Sequence, residues 1–280
     1  MSSMLKLLAT ATALLLSSSL LGDTSYTQIQ NHLEKSFKSN PNIISLKVNV
    51  VDKIALDAPK NWDAFIVSID ATVKTKQKER IVSQKMIWFA SDGIIAPDLI
   101  DMNSGESLKD LVSPSFKSEY YKKENLIYGN ANAKHKVAIF SDPLCPFCRN
   151  FVPKAIKYMK EKPELFAVYY YHFPLPSLHP AAVELVKAAT AAELKGHKDV
   201  VLGLYEVEVD AREKDVNKIL AAFNKQMKTD IKASDLDAEK VLKHYNSDQK
   251  IASDVMVQGT PTVFFDGKID KSKRQYEKVK

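Results

Sequence analysis

The sequence predicts an α+β protein with two structured parts, and three observations support this prediction. A helix-like segment at 26–38 is followed by β-rich runs, a pattern typical of a small antiparallel sheet with one helix. A short apolar run at 137–140 precedes a helix and a second β-rich run at 165–175, which indicates a β-α-β unit. The pattern is then nearly all helical from 177 to about 257, before strand character returns.

Residues 1–22 are typical of a secretory signal peptide. Lys6 precedes an apolar run from Leu7 to about Leu21, and small residues lie near Gly22. The run is about fifteen residues long, which is too short to span roughly 30 Å of hydrocarbon as a helix. The alternative is an uncleaved membrane anchor. Because no cysteine lies near the cleavage region, a lipoprotein-type anchor has no attachment point. We therefore expect a soluble, exported chain.

The size and charge of the mature chain limit the number of domains and the classes of function that it can have. About 258 residues remain after residue 22, which fits two domains. The net charge of +6 is modest, and no arginine-rich face with interleaved aromatic residues is evident. This composition disfavours nucleic-acid binding.

Residues 23–103 are predicted to form a small amino-terminal domain. In the segment 26–38, apolar residues at a spacing of four predict an amphipathic helix. Strand-like runs follow at 43–51, 64–73 and 80–90. The domain carries no cysteine and no evident catalytic cluster, which favours a role in docking or dimerisation.

Residues 104–128 are mixed and charged and contain Pro114, which predicts a partly helical linker. The second domain is predicted over 129–280. It begins with the apolar strand at 137–140, and the helix that follows opens at Cys145. The residues that carry chemistry therefore lie in this second domain.

Both cysteines of the chain, Cys145 and Cys148, lie in the segment FSDPLCPFCRNF at 140–151. A thiolate rather than a thiol attacks a disulfide, so a redox site must lower a cysteine pKa that is ordinarily about 8.5. The dipole and free N–H groups of a helix amino terminus favour negative charge, and Pro146 fits the first helical turn. The spacing therefore predicts an exposed nucleophile at Cys145 and a sheltered resolving partner at Cys148.

Three other interpretations fit the cysteine pair less well. A c-type haem site needs a histidine directly after the second cysteine, where this chain has Arg149. A structural zinc needs four ligands, and no two of the six histidines are paired at ligand spacing. An inert disulfide that closes so short a loop would stabilise the fold little. The pair thus favours redox chemistry, and we expect no metal and no cofactor.

Pro261 stands just before a predicted strand, preceded by Gly259 and Thr260. An X-Pro bond at a strand entry is a candidate cis peptide, and the alternative is a trans proline on an edge strand. If this segment faces Cys145, the backbone of Thr260 can pair with an extended substrate chain.

FSDPLCPFCRNF and GTPT together resemble segments of the thioredoxin-fold Dsb proteins of the bacterial periplasm, most of all the two-domain DsbC/DsbG group. The resemblance covers most of the mature chain, and the amino-terminal domain matches only in type and in its ASDG turn. It implies a carboxy-terminal thioredoxin-like fold with a helical insertion at about 177–257, preceded by a small cystatin-like α+β dimerisation domain. It also implies that Cys145 attacks, Cys148 resolves and Pro261 is cis.

The resemblance further implies partners and a location. A V-shaped homodimer joined through its amino-terminal domains would act in the periplasm on unfolded or misdisulfided exported proteins. A DsbD-like membrane reductant would keep the cysteines reduced. In the alternative, a DsbB-like membrane oxidant would reoxidise them.

Some positions depart from the family pattern. Pro146 and Phe147 do not include the histidine of the strongly oxidising Cys-Pro-His-Cys proteins, so we expect a less extreme cysteine pKa. Thr260 is similar to the isomerase branch of the family. Position 139 is Ile rather than the buried acid that relays protons in thioredoxin-like reductases, which leaves Asp142 or water as a substitute.

His172 and His179 flank the FPLPSL segment after the second β-rich run. Either histidine is a candidate for tuning Cys145, and a purely structural role is the alternative. The tyrosine run at 169–171 is interpreted as alternating core and groove rather than as a cofactor site. Its exposed members would help a groove to accept unfolded chains.

The leading hypothesis is a periplasmic, homodimeric thiol:disulfide interchange protein of isomerase or reductase type. The enzyme rival is a dimeric DsbA-like oxidase that donates its disulfide. These two differ in redox potential, which the sequence leaves open. A rival of another class is a holdase chaperone whose cysteines are incidental.

Overall fold

The structure, a computed structural model, describes residues 25–75 and 78–279 of the 280-residue chain. The chain divides into two units, with the boundary between Leu99 and Ile100. The predicted signal peptide at 1–22 lies outside the described residues. Within the described ranges, no helix combines the length and the apolar character that a membrane crossing requires.

The first unit consists of one helix and an antiparallel sheet. Helix α1 (Tyr26–Lys38) begins at a capping box, in which Ser25 Oγ accepts a hydrogen bond from Gln28 N and Gln28 Oε1 accepts one from Ser25 N. Four strands follow in the order β1-β2-β3-β4, and each pair is antiparallel. The strands are β1 (Ile43–Ala55), β2 (Asp63–Lys74), β3 (Glu79–Ser91) and β4 (Ile94–Ala96).

The core of the first unit lies between α1 and one face of the sheet. Ile29 and Leu33 of α1 are buried against Val48 of β1 and Phe65 and Val67 of β2. Their spacing of four places them on one side of the helix, and alternate residues of a strand face one side of the sheet. The predicted small α+β fold of this part of the chain is therefore confirmed.

The second unit is built on a five-stranded sheet in the order β5-β7-β6-β8-β9. Strands β6 and β7 are parallel, and the other neighbouring pairs are antiparallel. The strands are β5 (Leu126–Tyr128), β6 (His135–Ser141), β7 (Phe166–His172), β8 (Thr262–Phe265) and β9 (Lys268–Ile269).

Helix α2 (Pro146–Lys160) forms the crossover between the parallel strands β6 and β7. Parallel neighbours need such a crossover, because a tight turn cannot return the chain to the same end of the sheet. The helix buries Cys148, Val152 and Ala155 against the sheet. This β6-α2-β7 unit places both cysteines at the carboxyl end of β6.

Five helices lie between β7 and β8, where the sequence predicts a helical insertion at about 177–257. Their core includes Leu185 and Ala188 packed with Leu220 and Phe223. The thioredoxin-like fold with a helical insertion is thus confirmed. The helices are α3 (Pro180–Leu194), α4 (Val200–Leu204), α5 (Val216–Met227), α6 (Ala233–Leu236) and α7 (Glu239–Asp254).

The segment 104–128, predicted as a partly helical linker, lies within the second unit. It holds three short 3-10 helices and ends in strand β5. The ring of Phe116 is only 3% exposed and packs edge-on against Phe140 and Tyr171. Buried aromatic area of this kind stabilises a fold more than the charged neighbours disfavour it.

Candidate active site around Cys145 and Cys148

Cys145 occupies the N-cap position of α2, and Pro146 is the first residue of the helix. The carbonyl of Cys145 accepts the first helical hydrogen bond, from Arg149 N at 3.0 Å. Pro146 lacks an N–H group, which at this position would have no partner in the helix. The Cys145 sulfur therefore lies at the positive end of the dipole of a 15-residue helix.

The loop between β6 and α2 is held by the carboxyl group of Asp142, which is fully buried. Its Oδ1 accepts a hydrogen bond from Leu144 N at 2.8 Å. Its Oδ2 accepts from Leu175 N at 2.8 Å and pairs with His179 Nδ1 at 2.9 Å. Asp142 therefore connects the cysteine loop to the segment that leads into α3.

Arg149 provides a second connection that the sequence analysis missed, because it used this position only to exclude a haem site. Its Nε donates to the carbonyl of Pro143 at 2.8 Å. Its Nη2 donates to the carbonyl of Val207, in the helical insertion, at 2.7 Å. The guanidinium group thus joins the cysteine loop to the insertion, and no motif in the sequence signals such a long-range pair.

The structure brings Thr260 and Pro261 beside the first cysteine. The Thr260-Pro261 peptide bond is cis. The thiol of Cys145 donates to the carbonyl oxygen of Thr260, with the sulfur 3.7 Å from that oxygen. The two segments therefore meet at one site, although 115 positions separate Cys145 from Thr260.

The expected exposure of Cys145 is wrong. Cys145 is only 5% exposed, because its sulfur lies against the Thr260 carbonyl and its side chain packs in the core cluster of α2. The residues that reach solvent are Pro146 and Phe147, and Phe147 is 76% exposed. A partner chain would therefore meet the phenylalanine ring before it meets the recessed sulfur.

Cys148 is fully buried one helical turn further in, and both cysteines are free thiols. Burial raises the pKa of Cys148 to about 11, and the nearby Cys145 adds to the rise when it is charged. The neighbouring side chains of Ser141 and Thr260 and the backbone of Asp142 oppose the rise in pKa only in part. At neutral pH, Cys148 is therefore a protonated thiol.

Three hydroxyl groups form a chain beside Cys148. Tyr205 Oη donates to Ser141 Oγ at 2.6 Å, and Tyr170 Oη lies 2.8 Å from Tyr205 Oη. All three residues are buried. Position 139 is a fully buried isoleucine, so this position places no acid beside the second cysteine.

The tyrosine run at 169–171 is entirely buried, so the expectation that exposed members line a groove is wrong. The position of β7 explains this, since the strand lies between β5 and β6 and both faces of the sheet are covered. Tyr170 faces Cys148, whereas Tyr171 faces the other side and donates to the carbonyl of Tyr120 at 2.6 Å.

The two histidines have different surroundings. His172 is buried, with its ring 5.1 Å from Tyr170 and its backbone N–H donating to Asp248 Oδ2 at 2.8 Å. Burial, and then the charge of the neighbouring His244, lower the pKa of His172 to about 3. Its Nδ1 has no hydrogen-bond partner among the residues that the structure describes. His172 is therefore a neutral core residue, whereas His179 reaches the cysteine loop through Asp142.

No group of three or more histidine, cysteine or acidic side chains in the described ranges is arranged to hold a metal ion. The chemically active groups of the site are two thiols, the hydroxyls beside them and the backbone of Thr260. Such groups can exchange disulfides through a thiolate nucleophile.

Comparison with known proteins places this site within a matched family region. A family model described as thioredoxin matches residues 121–280, which include the five-stranded sheet and the helical insertion. No curated protein matches the chain. Similar solved structures include Proteus mirabilis ScsC in a transitional conformation, at 21% identity over 57% of this chain and 70% of that chain, with a TM-score of 0.46. Oxidised BdbD from Bacillus subtilis is 20% identical over 59% of this chain and 92% of that chain, with a TM-score of 0.46. The thiol-disulfide exchange protein alpha-DsbA2 from Wolbachia pipientis is 19% identical over 55% of this chain and 82% of that chain, with a TM-score of 0.45.

The buried state of His172 leads to a prediction about acid stability. Its pKa is lowered in the folded protein, so between about pH 6.5 and 3 the unfolded chain binds a proton that the folded chain does not. The contribution of His172 to stability should therefore fall as the pH falls through this window, by up to about 3 kcal/mol between pH 7 and 4. His172→Leu should show a shallower loss, measured by urea unfolding followed by far-ultraviolet circular dichroism.

The matched control is His197→Leu, because His197 is exposed in the same unit. This variant should retain the pH dependence of the wild-type protein. Equal slopes for the wild-type protein and His172→Leu would contradict the assignment of His172 as a buried neutral group.

Proposed function

The chain belongs to the thioredoxin family, and from this premise we propose that it is a thiol:disulfide oxidoreductase acting on protein disulfides through Cys145 and Cys148. The observation that carries the proposal is the asymmetry of the two thiols. One lies at the amino end of α2 against the Thr260 carbonyl, and the other is fully buried with a raised pKa. A nucleophile and a separate resolving thiol need this kind of difference.

The reaction begins with the reduced pair. The thiolate of Cys145 attacks one sulfur of a substrate disulfide, a mixed disulfide forms, and the other substrate sulfur leaves and takes up a proton. A substrate thiol can then displace Cys145, which rearranges the substrate disulfides without net oxidation. Alternatively, the thiolate of Cys148 attacks Cys145, which closes the internal disulfide and leaves the substrate reduced by two electrons.

We favour the isomerase or reductase type over the DsbA-like oxidase. The raised pKa of Cys148 slows the resolving attack, so a mixed disulfide has time to rearrange. The absence of a histidine between the cysteines and the threonine before Pro261 support the same choice. An electron-donating, DsbD-like membrane partner would keep the pair reduced, whereas the oxidase would need a DsbB-like oxidant.

We also propose a homodimer that is exported to the periplasm by the segment 1–22. Support for dimerisation comes from the first unit, where large apolar side chains lie exposed on the strands. Ile81 of β3 is 81% exposed, and Ile44 and Ile94 are also exposed. Exposed apolar patches often mark protein interfaces, and the first unit has neither cysteine of the chain.

Substitution of each cysteine tests the proposed chemistry. Cys145→Ser should abolish the reduction of insulin and the reactivation of scrambled ribonuclease, since no nucleophile remains. Cys148→Ser should retain attack and accumulate a mixed disulfide, visible by mass spectrometry, since resolution is lost. If Cys145→Ser acts on misfolded substrates as well as the wild-type protein does, the protein is a holdase chaperone and the proposal fails.

The redox state of the pair in the cell tests the direction of electron flow. Acid quenching followed by alkylation with a mass-shifting maleimide separates reduced from oxidised protein. We expect Cys145 and Cys148 to be mostly reduced. A mostly oxidised pair would favour the dimeric oxidase and would overturn our preference.

Sedimentation of the mature chain, residues 23–280, tests the dimer. We expect a dimer at micromolar concentration and a shift toward monomer for Ile81→Lys, because the substitution places a charge on the exposed apolar strand. Leu194→Lys is the matched control, since Leu194 is an exposed apolar residue of the second unit. It should sediment like the wild-type chain, and a monomeric wild-type chain would contradict the proposal.

A further inference from the structure

We propose that Ser141, Tyr205 and Tyr170 form a directional hydroxyl chain that stabilises the thiolate of Cys148 while it attacks Cys145. This inference rests on the proposed thiol:disulfide exchange and assigns positioning residues to its resolving step. It concerns residues on three different segments, namely the end of β6, strand β7 and the turn that follows α4.

The hydrogen-bond geometry fixes the direction of the chain. The hydroxyl hydrogen of Tyr205 is directed to Ser141 Oγ, at an oxygen–oxygen distance of 2.6 Å. Tyr170 Oη lies 2.8 Å from Tyr205 Oη and must be the donor of that pair, since the hydrogen of Tyr205 is already used. The hydrogen of Ser141 then remains for the sulfur of Cys148, which its side chain faces.

The surroundings of the chain strengthen its effect on a charged sulfur. Cys148, Ser141, Tyr170 and Tyr205 are all buried, and the cysteine and both tyrosines belong to one core cluster. Hydrogen bonds to charged acceptors are stronger than neutral ones, and low local dielectric strengthens them further. Burial also raises the pKa of Tyr170 and of Tyr205, so both phenols remain neutral donors.

The alternative acid near Cys148 already has other partners. Both oxygens of the Asp142 carboxyl group take part in hydrogen bonds with Leu144, Leu175 and His179. The remaining groups that face Cys148 are Cys145, the backbone of Asp142 and the hydroxyl of Thr260. That hydroxyl is buried and has no hydrogen-bond partner among the described residues.

The hydroxyl chain lowers the energy of the Cys148 thiolate and does not itself take up the proton. In the resolving step Cys148 loses its proton, and its thiolate forms a bond with the sulfur of Cys145. The bond between Cys145 and the substrate sulfur breaks, and the departing sulfur keeps the electron pair and takes up one proton. Charge and protons balance, and the hydroxyls act only on Cys148 while it is negative.

The decisive measurement is the titration of Cys148 itself in a Cys145→Ala background, where it is the only thiol of the chain. Selective ¹³Cβ labelling of cysteine reports its ionisation by nuclear magnetic resonance between pH 9 and 12.5. Adding Ser141→Ala should raise the midpoint by about one pH unit, which is about tenfold less thiolate at a given pH. Adding Tyr205→Phe should raise it by a smaller amount, because it removes only the donor to Ser141.

Tyr171→Phe is the matched control. Tyr171 is a buried tyrosine next to Tyr170 in β7, but its hydroxyl donates to the carbonyl of Tyr120 on the other face of the sheet. Its removal should leave the titration of Cys148 unchanged. A general loss of packing would instead move all the variants alike.

A kinetic measurement on the dithiol protein gives a second readout. When Cys145 carries glutathione, release of glutathione reports the attack by Cys148. Ser141→Ala should slow this release about tenfold between pH 7 and 9, and Tyr171→Phe should not. Wild-type titration midpoints for both Ser141→Ala and Tyr205→Phe would overturn the hydroxyl chain. Because the titration requires no exchange with a substrate, a failure of the proposed function would be visible separately, in the Cys145→Ser assays.

Discussion

The buried carboxyl group of Asp142 is the constraint on which the geometry of the site depends. It lies at the end of β6 and takes hydrogen bonds from the cysteine loop, from Leu175 and from His179. Two of these donors are backbone N–H groups that burial would otherwise leave unpaired, at a cost of about 1–3 kcal/mol each. The start of α2 and the approach to α3 are therefore positioned by one side chain.

The difference between the two thiols follows from where α2 begins. Cys145 precedes the helix and contacts the Thr260 carbonyl, whereas Cys148 lies one turn inside it and faces the end of β6. Polar groups of three neighbours favour the thiolate of Cys148, yet its pKa remains at about 11. Burial is therefore the larger effect, and local hydrogen bonding moderates it.

Local patterns predicted the architecture, and long-range contacts had to be observed. The spacing of Ile29 and Leu33, the alternation in β2 and the position of the cysteines before an amphipathic helix were sufficient for the fold class. The burial of Phe116 could not be predicted, because its charged neighbours dominate any local average. The pairs Ser141–Tyr205 and Arg149–Val207 join residues 64 and 58 positions apart. The local periodicity of the sequence contains no information about such pairs. The roles of Cys145, Cys148, Thr260 and Pro261 stay predictions.

The contact of Arg149 with two carbonyls makes the helical insertion a mechanical support for the cysteine loop. One guanidinium group holds Pro143, two residues before Cys145, and Val207 in the interior of the insertion core. The guanidinium group is planar and its donor directions are fixed. A movement of the Val207 carbonyl therefore shifts the Pro143 carbonyl more than it would through the flexible ammonium group of a lysine. Substitutions in the insertion that move Val207 would therefore also displace the cysteine loop. The sequence of the insertion is constrained in this way although the insertion contains neither cysteine.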